Sequence, residues 1–190
     1  MSICANKIAK DITSNCADPL YAGHAQRGFL INKEDVASFT ASDNVISAIT
    51  LATSTYAWLI EVNTKNPFGG TVTAMEEGDI RNTFTHTVTF HVPNDGAGFR
   101  KDIVDKIVNG KFVVIVENEW QGTSGDHAFS VYGIDRGLVA TGDNTEDADN
   151  GGWTFTLTES GLPTSGKYFW ATDYASTVAA LEGLLKPPTP

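Results

Sequence analysis

The chain has 190 residues, 41% apolar and 19% charged, with a formal net charge of −10 and a pI near 4.7. That length buries a full core without disulfides or metals, and so little charge beside 10% aromatic residues excludes a disordered polyelectrolyte. Thirteen Lys and Arg against twenty-three Asp and Glu exclude a cationic groove for nucleic acid, which needs clustered basic residues to displace counterions.

Residues 1–26 read as an N-terminal arm with a weak helical tendency, 27–185 as one β-rich domain and 186–190 as a proline-rich tail. The opening MSICANKIAKDITSNC lacks the continuous apolar run of a secretory leader. No stretch approaches the roughly 20 apolar residues of a membrane helix, so no membrane anchor is expected. Cys4 and Cys16 are the only cysteines, and they read as free structural thiols; two alone cannot complete a zinc site.

RGFLIN (27–32) predicts a first strand, followed by a charged turn at Lys33, Glu34 and Asp35. NVISAIT (44–50) and TYAWLIEV (55–62) predict two more, and NPFGG (66–70) reads as a turn because Pro fixes one dihedral and Gly frees others. TFTHTVTFHV (83–92) alternates most cleanly. Phe84, His86, Val88, Phe90 and Val92 share one face, expected to be buried, and four threonines with His91 share the other. In FRKDIVDKIVNG the period changes: Phe99, Ile103 and Ile107, widened by Val104 and Val108, predict an amphipathic helix over about 97–109 with Gly110 at its C-cap. KFVVIVENEW (111–120) and HAFSVYGI (127–134) predict a hairpin across QGTSGD, followed by strands in GLVATG (137–142) and GWTFTLT (152–158). A second helix is expected over about 173–185, with Tyr174, Val178, Leu181 and Leu185 on one face. The sum is a mainly β protein, a sandwich or barrel of about seven or eight strands with a flanking helix on an open side.

Sites of chemistry are sparse. GLPTSGK (161–167) matches part of a phosphate-binding loop, but Tyr168 stands where Ser or Thr would hold magnesium, and an extended segment follows. DNTEDADNGG (143–152), with Asp147 and Asp149, is similar to the start of an EF-hand; its twelfth position is Thr158, not Glu, so an acidic hairpin loop is the simpler reading. His86 and His91 point to opposite strand faces and cannot share one ion, while His24 and His127 stand alone. Ser124 in GTSGD lacks a nucleophile elbow. Glu117 and Glu119 share a strand face, as a glycosidase pair would, yet no consistent catalytic set surrounds them. The reading is therefore non-enzymatic, with no catalytic residue, cofactor or metal.

Two stretches carry a resemblance. YAGHAQRGFLINKEDV (21–36), after a cysteine-bearing arm, and KFVVIVENEWQGTSGDHAFSVYGIDRGLVATG (111–142), continuing into GGWTFTLT, resemble virion structural proteins of tailed phages and prophages of gut Bacteroidales, over roughly two thirds of the chain. In size and element order the chain is most similar to a tail tube (major tail) protein. That resemblance implies a β-sandwich or barrel with a helix on its flank and loops or an arm reaching neighbours. It also implies six-fold, hexameric rings of a homo-oligomer, stacked into a conduit. Other tail or virion proteins would be partners, DNA would pass without specific binding, and the protein would reside in the virion tail after assembly in the bacterial cytoplasm. A capsid decoration, head-completion or tail-terminator protein is the near alternative. A β-sandwich glycan-binding module using Trp120, Trp153 and Trp170 as a stacking platform is the distant one. The threonine faces of 83–92 and 152–158 would meet water, on the outside of a monomer or the inside of a tube.

Overall fold

The computed structural model describes residues 8, 10–13, 20–62, 65–142, 144–147 and 151–187. Most of the expected arm, Cys4, Cys16, Asp149 and the last three residues of the tail therefore lie outside the described residues. Twelve strands form among the described residues: β1 (His24–Asn32), β2 (Val36–Ser42), β3 (Val45–Leu51), β4 (Trp58–Glu61), β5 (Phe68–Glu76), β6 (Thr83–Val92), β7 (Phe112–Asn118), β8 (Phe129–Tyr132), β9 (Val139–Ala140), β10 (Thr145–Glu146), β11 (Trp153–Leu162) and β12 (Lys167–Phe169). Helix α1 covers residues 97–109 and α2 is Tyr174–Glu182. The protein is mainly β, as its patterning predicts.

The strands form two sheets. The larger has the order β2-β3-β12-β8-β7-β1-β4, and the smaller has β10-β11-β6-β5 with β9 also paired to β11. Between β8 and β1 in the larger sheet, β7 reads FVVIVEN, and its first six residues are all buried. A strand buried on both faces loses the period-two signature and becomes a continuous apolar run. Val113 and Ile115 face one core with Phe29, Ile31, Phe129, Phe169 and Leu181. Phe112, Val114 and Val116 face a second core with Val88, Phe90, Phe155, Leu157 and Ile107. The first core lies under α2, and the second lies between the sheets and under α1.

α2 starts where it does because Asp173 caps it, accepting a hydrogen bond from the Ser176 N–H at 2.8 Å. That bond holds the Asp173 carboxyl below its ordinary pKa. The helix is shorter than expected, ending at Glu182, while Leu185 forms a parallel bridge with Ala57.

α1 departs from the expected stripe. Its middle, Arg100–Val104, is π-helical, so the extra residue per turn rotates the apolar face. Val104 and Ile107 are buried, but Ile103 and Val108 stay exposed. Gly110 does cap the helix, in an extended conformation with φ −97°. Its glycine is needed for space: a Cβ would lie 2.4 Å from the Phe112 ring.

Three strands, β2, β5 and β10, are not legible in the sequence, whereas β12 falls in the segment expected to be extended. Every residue of β2 after Val36 is exposed, so VASFTAS carries no burial pattern. NPFGG is a turn only at Asn66 and Pro67, where the Asn66 side-chain oxygen accepts from the Phe68 N–H at 2.9 Å. Phe68 then opens β5, and the two glycines sit at a register shift within it, a common place for strand glycine. β10 and β12 have two and three residues and exist only through their neighbours.

Leu181 is fully buried where α2 meets the larger sheet. Leu181→Ala is expected to cost about 2–5 kcal/mol, read as a lower urea midpoint with an unchanged slope. A change within about 0.5 kcal/mol would show that α2 does not seal the core.

Candidate functional site

The two threonine-rich segments prove to be neighbours. β6 and β11 pair antiparallel with Thr154 opposite His91, Thr156 opposite Thr89 and Thr158 opposite Thr87. Thr87 and Thr158 hydroxyls meet at 3.1 Å, Thr89 and Thr156 at 3.3 Å, and His91 Nδ1 lies 3.1 Å from Thr154 Oγ1. The threonines form one half-buried face, not two separate walls. β5 extends it with Val72 and Ala74 opposite Thr87 and Thr85. Cross-strand threonine pairs stabilise a sheet and leave its surface polar without charge.

The opposite face of the same strands holds a buried ionisable pair. His86 and Glu159 are register partners, 4% and 5% exposed, with His86 Nδ1 3.1 Å from Glu159 Oε1. The same oxygen accepts the Gly133 N–H at 2.6 Å, and Tyr132 meets the His86 ring edge-on at 5.5 Å. Gly133 adopts φ +83°, and a Cβ there would lie 2.2 Å from the Phe112 carbonyl oxygen, so only glycine presents that N–H. His86 Nε2 and Glu159 Oε2 find no hydrogen-bond partner among the described residues. The pair ties the smaller sheet to the end of β8; it sits in the core and not in a cleft. His86 belongs to the buried face, as its position in the alternation predicts.

The other candidates are dispersed. Glu117 and Glu119 do not act together: Glu117 is buried, and Glu119 is exposed beyond the end of β7. Arg27 Nε donates to Glu117 at 2.9 Å and Tyr174 Oη donates at 2.6 Å, which docks α2. Burial opposes the charge on Arg27, but its bond and ion pair with Glu117 outweigh that and raise its pKa; burial and the same glutamate raise that of Tyr174. Residues 161–167 span the end of β11 and a bend into β12, with Lys167 ion-paired to Asp135, so no helix N-terminus follows. In the acidic loop, β10 pairs with β11 and the Asp147 N–H donates to the Gly152 carbonyl. Strand follows where an EF-hand needs its exiting helix. Ser124 is an exposed turn residue. No group of three or more metal-ligating side chains converges among the described residues.

The tryptophans do not make one platform. Trp120 packs on His127, with ring centroids at 4.8 Å, and Trp170 lies against Gly125 of the same loop. Trp153 is elsewhere, stacked on Phe155 and covered by the Arg100 guanidinium at 5.3 Å. Arg100 also forks onto Asp95 and reaches Glu146, holding the Asp95 carboxyl well below the usual range.

A groove of about 740 Å³ escapes sequence reasoning altogether. It runs between the open side of β4 and the π turn of α1, floored by Leu30, Ile60, Phe90 and Phe112, with Trp58 at its mouth. Glu34, Glu61, Asp102 and Lys106 stand among its lining residues. Its walls come from distant segments, so no local pattern marks it. No helix among the described residues is long and apolar enough to cross a membrane.

Two outcomes follow from these contacts. Glu159→Ala leaves the Gly133 N–H and the His86 ring buried without their acceptor, at a cost of about 3 kcal/mol in urea unfolding, whereas Glu119→Ala should stay within about 0.5 kcal/mol. Equal midpoints for the two variants would mean the buried pair contributes nothing to stability. His24 provides a pH test. Burial lowers its pKa from the ordinary 6.5, against the opposing Asn118 hydrogen bond. The unfolded chain then takes up a proton near pH 6.5 while the folded one resists. Stability is unaffected above that pH and falls as the pH drops from there toward the folded value. His24→Gln should flatten part of that fall; identical pH profiles would exclude His24 as a source.

No family model, no curated protein and no solved structure matches this chain.

Proposed function

We propose that the protein is a non-enzymatic structural subunit that assembles with copies of itself, and that its setting is a phage tail tube. The observation that carries the reading is the joined threonine face of β6 and β11, an uncharged β-branched wall in a chain of net charge −10. Such a wall suits the lining of a water-filled conduit: hydroxyls wet it, and beside the threonines it carries His91 but no lysine or arginine to grip phosphate. The dispersal of every candidate catalytic group among the described residues points the same way. In this reading the partners are the neighbouring subunits of a six-fold ring, the rings above and below, and other tail proteins. DNA is a passenger, and the protein resides in the virion tail.

Light scattering across concentration, followed by negative-stain imaging, tests the assembly. Rings or tubes with a central hole are the expected result. A protein that stays at 20.4 kDa at every concentration and shows no rings would remove the tube reading and leave the threonine face as an ordinary solvent-facing surface.

A further inference from the structure

Five strands lie outermost in the two sheets: β2 and β4 in the larger, and β5, β10 and the two-residue β9 in the smaller. An outermost strand exposes unpaired N–H and C=O groups, and monomeric proteins blunt such edges by keeping them short or charging them. β4 and β10 follow that rule. They have four and two residues, and carry Glu61 and Glu146. β2 and β5 do not. They have seven and nine residues, and their sequences VASFTAS and FGGTVTAME contain a single charged side chain, Glu76 at the far end. In a chain with 19% charged residues and a net charge of −10, β2 carries no charge and β5 carries only Glu76 at its end.

The apolar side chains on these strands remain uncovered: Phe39 on β2, and Val72 and Met75 on β5, which are 57% and 59% exposed. β5 keeps an unbroken register with β6 from Gly70 to Glu76, so its free edge is a regular template. β2 has two register shifts against β3, which leave Ser38–Thr40 as its longest regular stretch. The two edges lie on opposite flanks. β5 packs over β1 near one end of the larger sheet, and β2 is the last strand at the other end.

We infer that β2 of one copy pairs with β5 of the next, joining the larger sheet of one subunit to the smaller sheet of its neighbour. The inference rests on the self-assembly reading above and names the surfaces that would carry it. Two different edges on opposite flanks make a heterologous contact, which closes into a ring when the rotation permits. Backbone hydrogen bonds supply the attraction, and with Glu76 at the end of β5 as the single carboxylate on the two strands, the contact strips little water from charge.

Paired variants test this. Ser38→Lys with Thr40→Lys charges the β2 edge, and Val72→Lys with Ala74→Lys charges the β5 edge; all four positions are exposed. Circular dichroism and melting curves like the parent's establish that both variants fold. Each variant alone should then fall to the 20.4 kDa monomer. Their equimolar mixture should form a one-to-one dimer, because one intact β2 edge meets one intact β5 edge. A folded variant that assembles like the parent overturns the pairing, and so does a variant that dimerises alone, since that reports an isologous contact through the untouched edge. A parent protein that never assembles removes the broader reading, whereas a parent that assembles through uncharged and charged edges alike removes only this one.

Discussion

β7 sets the terms for the rest of the molecule. Six consecutive buried residues oblige the chain to build a core on each side of one sheet, since water on either face would meet Val and Ile side chains. α2 covers one side, while the smaller sheet and α1 cover the other. The caps and clamps serve that cover: Asp173 starts α2, and the Arg27–Glu117–Tyr174 contacts hold it down. Glu117 shows how a buried carboxylate can be structural, with both oxygens occupied by donors from separate elements.

The second core explains the contrast between the two faces of β6. Its inward side gives Val88 and Phe90 to the inter-sheet space and brings His86 against Glu159, where the pair accepts a backbone N–H from the end of β8. Its outward side gives threonines to a ladder with β11. One strand therefore performs two tasks, and the alternation of side chains keeps them apart. A polar pair in the core is costly unless its hydrogen bonds are made, and it favours this register because a one-residue slip would turn His86 outward.

Seen as a surface, the molecule is uneven in where it places charge. Asp95, Arg100 and Glu146 gather beside Trp153, and carboxylates line the groove beside β4. The threonine wall and the two long outer strands are nearly free of charge. An acidic protein gains solubility from its charged regions and retains uncharged ones where contact or passage is required. That division links the proposed conduit to the proposed edge pairing without requiring a reactive site.

The sequence by itself determined the β-rich class, the positions of α1 and α2, the β7–β8 hairpin and the inward face of β6, because periodicity, caps and turn residues act over a few positions. It also separated His86 from His91. What only the tertiary structure decided was that the threonine faces of β6 and β11 are one face, since pairing across more than sixty residues leaves no local trace. The π turn, which exposes Ile103 by rotating an otherwise regular stripe, was illegible for a different reason: helix and π-bulge share the same residue preferences. β2 and β5 were missed because an exposed edge strand needs no burial pattern, being held by the backbone of its partner. The features that carry the functional proposals are thus the ones whose stability comes from neighbours, and only the folded chain brings those neighbours together.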